Sequence, residues 1–98
     1  MEKELQKKAI NLGKSIGQAI LNYEGYDKIS NAKNGRKYLI NLHKSRTLQQ
    51  FSDGLYRISN KYKISISNDL LENINENNFL LIRQFALLGA LNQLNTIN

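Results

Sequence analysis

Apolar side chains return every three or four residues along the first quarter of the chain, at Leu5, Ala9, Leu12, Ile16, Ala19 and Tyr23. That spacing tracks the turn of an α-helix, so residues from about 3 to 23 are expected to form one amphipathic helix. Gly25 ends it, and residues 25–34 make a polar connection in which Asn31 and Asn34 can each act as a helix N-cap. A second helix is expected over residues 34–44. At about 100° per residue it puts Tyr38, Leu39 and Leu42 on one side and Lys33, Arg36, Lys37 and Lys44 on the other. Ile40 intrudes on the basic side. Thr47 and Gln50 have capping-box spacing in front of Leu48, Phe51, Leu55, Ile58 and Tyr62, the cleanest helical stripe in the chain, which predicts a third helix over 48–61.

Residues 63–67 alternate polar and apolar, but with no second segment to pair with they are expected to form a linker rather than a strand. Ser67 or Asn68 then caps a short helix carrying Leu70, Leu71 and Ile74, and the asparagine-rich run 75–78 breaks the chain and caps the next helix. From Phe79 to Leu94 the pattern is apolar around most of the circumference, interrupted by Arg83, so this helix is expected at the centre of the core or shared with another subunit. Small residues recur in register in the first helix (Ala9, Gly13, Gly17) and the last (Ala86, Gly89, Ala90). A glycine inside a helix costs roughly 1 kcal/mol against alanine, so these two surfaces are expected to pack on each other at short range, the alternative being that they receive a helix of a partner subunit. With no proline in the chain, the pattern predicts an all-α fold, one domain over residues 1–98 built as a bundle of about five helices.

Charge changes this picture more than composition does. The chain has 98 residues, 41% of them hydrophobic, enough for a single core, and carries a formal net charge of +6. Residues 28–46 hold Lys28, Lys33, Arg36, Lys37, Lys44 and Arg46 with no Asp or Glu, six cations against no anion, which equals the net charge of the whole chain. The flanking stretches cancel: Lys3, Lys7, Lys8 and Lys14 against Glu2, Glu4, Glu24 and Asp27, then Arg57, Lys61, Lys63 and Arg83 against Asp53, Asp69, Glu72 and Glu76. A local cluster of this kind repels itself, and polyphosphate is its most common partner. With no cysteine, neither a disulfide framework nor a thiolate nucleophile is expected. The mixed-charge N-terminus leads into an amphipathic stretch, so no secretory signal or membrane span is expected there and a cytoplasmic location is.

Motifs of catalysis do not assemble. Gly13-Lys14-Ser15 imitates the end of a P-loop, but Lys8 stands where the first glycine is required and the tripeptide falls inside a helix. His43 is the only histidine and has no Ser or Cys partner at suggestive spacing, and near Lys44 and Arg46 it suits a phosphate or a solvent position. No catalytic residue, metal-ligand set or cofactor is expected. Tyr26 and Tyr56 fall off the core stripes and are the tyrosines placed to stack on bases. The short link between the second and third helices leaves a helix-turn-helix regulator open, although the third helix, which would read bases, carries only Arg57 and Lys61 beside Asp53. An adaptor docking an acidic protein is the other alternative.

The run from Gly35 through Arg36, Lys37, Tyr38, Leu39, Ile40, Asn41, Leu42, His43, Lys44, Ser45, Arg46 and Thr47 to Phe51, continuing to Leu55, resembles the C-terminal helical domain of the large subunit of type I-B CRISPR interference (Cascade) complexes. That domain is also made separately as the small subunit by internal translation initiation, which a 98-residue chain starting at Met1 fits, and the likeness spans residues 10–94. His43 stands where a basic residue is expected. The resemblance implies a non-catalytic helical bundle of antiviral defence, present in several copies and contacting other Cascade subunits. It would steady guide RNA–target DNA and the displaced DNA strand through their backbones, while base pairing reads the sequence. Arg36, Lys37, Lys44 and Arg46, with Lys33 and Lys28 behind them, are the expected phosphate contacts.

Overall fold

The computed structural model describes residues 3–24 and 33–95, and in these the chain is all-α. Five helices follow one another: α1 (Lys3–Glu24), α2 (Lys33–His43), α3 (Leu48–Tyr62), α4 (Asn68–Asn73) and α5 (Phe79–Asn95). Residues 63–67 form no strand. Gly25 and Asn31 lie outside the described residues, and Asn34 falls within α2 instead of capping it.

Local chemistry fixes several boundaries. Thr47 Oγ1 accepts from the Gln50 amide at 3.1 Å, as a capping residue should. The return bond departs from the expected box: Gln50 Oε1 accepts from the amide of Arg46 at 2.8 Å, one residue ahead of the cap. At the other end of α3, Lys63 adopts the left-handed conformation with φ 56°, and the Lys63 and Ile64 amides both donate to Ser59 O. Ser67 takes the N-cap position of α4 without a side-chain bond. Before α5, Asn75 and Asn78 cap reciprocally: Asn75 Oδ1 accepts from the Asn78 amide at 3.1 Å, and Asn78 Oδ1 accepts from the Asn75 amide at 2.8 Å.

One core joins the helices. Ile16 and Ile20 of α1, Leu42 of α2, Phe51, Leu55 and Ile58 of α3, Leu70 of α4 and Ile82 of α5 are its largest fully buried side chains. The buried stripe of α1 turns through Ile20 and Leu21, so Tyr23, expected on it, is instead 56% exposed. The reason lies in the small residues, which set the face that α1 turns inward. Gly13 lies against the backbone of Ala86 and Ala90, Gly17 against Ala90, and Gly89 against the backbone of Ile10, so α1 and α5 pack nearly backbone to backbone as their register predicts. Arg83 Nη1 donates to Ser45 O and ties α5 to the α2–α3 link.

α5 is therefore two-faced in an unusual sense. Phe79, Ile82, Ala86 and Ala90 are buried, while Leu80, Leu81, Leu88 and Leu91 are 45–51% exposed. Among the described residues no helix is long and apolar enough to cross a membrane.

Gly13→Ala and Gly89→Ala are expected to destabilise the protein even though alanine is the better helix former. A methyl group would stand 1.8 Å from Ala86 O in the first case and 2.1 Å from Ile10 O in the second. The helices would have to part, at a net cost of about 1–3 kcal/mol read from the denaturant midpoint; a gain at either position would refute the close approach. Lys63→Gly should act in the opposite sense, raising stability by up to about 1 kcal/mol, because glycine takes the left-handed cap without steric cost.

Candidate nucleic-acid interface

Helix α2 is pressed onto the bundle by Leu39 and Leu42, with Tyr38 half-buried beside them. The helical repeat then dictates what is left outside: Arg36, Lys37, Ile40, Asn41, His43 and Lys44 are all exposed and span an arc of about 160°. Arg36 and Lys37 lie in its first half, Lys44 follows its last turn, and Arg46 is exposed in the link to α3. Of the other expected contacts, Lys33 opens α2 and Lys28 lies outside the described residues.

The tertiary fold adds cations that the linear charge balance had cancelled. Lys37 and Lys61 of α3 line one shallow hollow of about 290 Å³ together with Tyr38 and Asn41. One turn further along, Lys44 and Arg57 share a second hollow of about 260 Å³, which Asp53 also reaches. A third, of about 720 Å³, closes the end of α2, where His43, Lys44, Arg46 and Arg83 converge around Ser45 beside Leu80. No carboxylate among the described residues lies within ion-pair distance of Arg36, Lys37, Lys44, Arg46 or Arg57. Asp53 accepts a hydrogen bond from Gln49 Nε2 at 2.8 Å. In contrast Lys8, in the balanced N-terminal stretch, bridges to Asp69 at 2.5 Å, and its ammonium holds that carboxyl below the usual range.

Arg57 and Lys61 carried a signal that sequence reading passed over. They follow Gly54 by three and seven residues on α3, and Gly54 packs against α2, with a methyl there standing 3.0 Å from Leu42 Cδ1. Side chains next to such a glycine on the helical wheel border the neighbouring helix. Arg83 reads in sequence only as a charge interrupting an apolar helix. In the fold its guanidinium is partly buried, with Nη1 on Ser45 O and no acceptor for Nε among the described residues. It positions the turn that presents Lys44 and Arg46.

Tyrosines close the α1 end of the patch. Tyr62 is buried, with Tyr23 and Tyr38 packed edge-on against it at ring-centroid distances of 5.3 and 5.7 Å. Lys61 Nζ sits 5.2 Å from the centroid of the Tyr23 ring. Tyr56 is 67% exposed but lies about 100° around α3 from Arg57, so it does not join the cationic face. Tyr26 lies outside the described residues.

Comparisons with family models, with curated proteins and with solved structures return no match to this chain.

Burial, and then the hydrogen bond it donates to Glu24 Oε1 at 2.9 Å, hold the Tyr62 phenol well above its ordinary pKa of 10.0. The unfolded chain ionises this group first, so its stabilising contribution is complete below about pH 10 and declines as pH rises from there towards the folded value. Unfolding free energy measured from pH 9 upward should therefore fall more steeply for the native protein than for Tyr62→Phe. Parallel curves would refute the shift.

Proposed function

We propose that this chain is a non-catalytic helical bundle that grips the phosphate backbone of a nucleic acid along the ridge between α2 and α3. The observation that carries the reading is the convergence of Lys37 with Lys61 and of Lys44 with Arg57 across the α2–α3 ridge, with Arg36 and Arg46 exposed beside them and Asp53 the one carboxylate in the adjoining hollows. Charge left uncompensated over a shared ridge fits polyphosphate, whose condensed counterions are released when lysine and arginine replace them. Lys37 and Lys44 are two turns apart, about 10.5 Å along the axis, which matches about three nucleotide steps at 3.4 Å per strand. Such contacts set orientation and carry no sequence information.

The sequence resemblance supports a specific form of this proposal: the small subunit of a type I-B CRISPR interference complex. In that form the ridge would hold guide RNA–target DNA or the displaced strand, and base pairing would supply the specificity. A helix-turn-helix regulator is less well supported, because Arg57 and Lys61 line hollows shared with α2.

Four to six phosphate contacts should give a plot of log affinity against log salt with a slope of about −3 to −5, a loss of about 60- to 1,000-fold between 50 and 200 mM salt. Arg36→Ala, Lys37→Ala, Lys44→Ala, Arg57→Ala and Lys61→Ala should each weaken binding to duplex and single-stranded probes alike and flatten that slope by about one unit. Lys3→Ala, Lys7→Ala and Lys8→Ala serve as charge-matched controls. Equal losses in the controls would mean that net charge alone drives binding, and a marked preference for one duplex sequence would favour the regulator. Purification from the native cell tests the specific form: recovery with a guide RNA and further Cascade subunits is expected, and recovery with neither would overturn it.

A further inference from the structure

α2 divides two surfaces. On its other flank, away from α3, it faces the outward side of α5 across an open groove of about 720 Å³. Leu87, Leu88 and Leu91 form one wall and Leu39 and Ile40 the other. Ile40, Leu88 and Leu91 are 46–51% exposed, although burial of such side chains is what the rest of the fold is built to achieve.

Charge around the groove is of one sign. Arg83 and His43 line it, and Arg36 and Lys44 stand one helical turn before and after Ile40. Neither α2 nor α5 contains a single Asp or Glu. We propose that this groove docks one amphipathic helix of a partner protein, with apolar anchors at i, i+3 or i+4, and i+7 and with Asp or Glu flanking them. Its length suits that occupant: from Gln84 to Leu91 the wall runs seven residues, about 10.5 Å, the span of three anchors over two turns. The exposed apolar wall residues Ile40, Leu88 and Leu91 are aliphatic, which suits leucine-like anchors.

A second copy of the chain fits poorly. Docking like faces would set the α2 cations of the two copies against one another. The acidic surface around Asp69 and Glu72 belongs to α4, a helix of six residues with one exposed leucine, Leu71, and its Asp69 is already engaged by Lys8. It supplies one anchor where the groove has room for three.

The test uses the full chain and two labelled helical peptides with identical leucine anchors, one flanked by glutamates and one by lysines, titrated by fluorescence anisotropy. The glutamate peptide should bind at least about tenfold more tightly than the lysine peptide. Leu88→Gln with Leu91→Gln, which leaves the net charge unchanged, should abolish that binding while leaving the melting curve and the salt-dependent nucleic-acid affinity unchanged, and Arg36→Ala should narrow the gap between the peptides. Equal affinity for both peptides, or binding of neither, would overturn the proposal. So would sedimentation as a dimer that the double variant converts to a monomer, since the occupant would then be a second copy. Loss of nucleic-acid binding in the double variant would assign the groove to the polyphosphate surface and overturn it equally.

Discussion

Because Gly13 and Gly89 carry no side chains, the backbones of α1 and α5 meet directly, Gly13 on Ala86 and Gly89 on Ile10. This contact determines how α5 spends its hydrophobic surface. Its small residues face α1, Phe79 and Ile82 enter the core beside Phe51, and Leu87, Leu88 and Leu91 are left facing α2. With 11 residues against 17, α2 is about 16 Å long against about 25 Å. The mismatch leaves the groove. The exposed leucines thus follow from a packing choice made on the opposite side of the helix.

The same frame explains why the cations stay where they are. Like charges one turn apart, such as Arg57 and Lys61, cost an isolated helix a few tenths of a kcal/mol, and nothing in their own hollows neutralises them beyond Asp53. The bundle tolerates this because Leu39, Leu42, Phe51 and Leu55 anchor both helices from beneath, and Arg83 clamps the connecting turn through Ser45 O. Repulsion is held at the surface by apolar contacts that the charges do not touch.

Helix periods made the five elements legible from sequence, and the small-residue register made the α1–α5 contact legible too, since an interior glycine needs a steric reason. The cation-bearing face of α2 followed from the same period, with Ile40 correctly left outside. What sequence could not give was tertiary. Arg57 and Lys61 look balanced by Asp53 and Glu72 in linear order, and only the packing of Gly54 against Leu42 sets them beside α2, with Glu72 elsewhere on α4. The groove was hidden for a different reason: α5 is apolar around most of its circumference, and a helix without a distinct polar face gives no sign of which side stays open. Apolar spacing alone puts Tyr23 on the α1 stripe, whereas the glycines rotate the buried face towards Ile20 and Leu21.

α2 must satisfy three neighbours with 11 residues: the core beneath, α3 on one flank and the α5 groove on the other. Its helical wheel separates them cleanly, with Leu39 and Leu42 inward, Lys37, Asn41 and Lys44 towards α3, and His43 towards α5. Ile40 lies on the crest between the two flanks, Arg36 stands one turn before it, and Lys44, one turn after it, lines hollows against both α3 and α5, so these side chains can be reached from either side. A partner helix seated in the groove would bury Ile40 and draw Arg36 towards its acids without displacing a phosphate strand held by Lys37, Lys44, Arg57 and Lys61. Occupancy of one flank would then weaken the other through Arg36, Lys44 and long-range charge, and the last of these fades beyond about 8 Å at physiological salt. The geometry therefore favours simultaneous occupation of both flanks over competition between them.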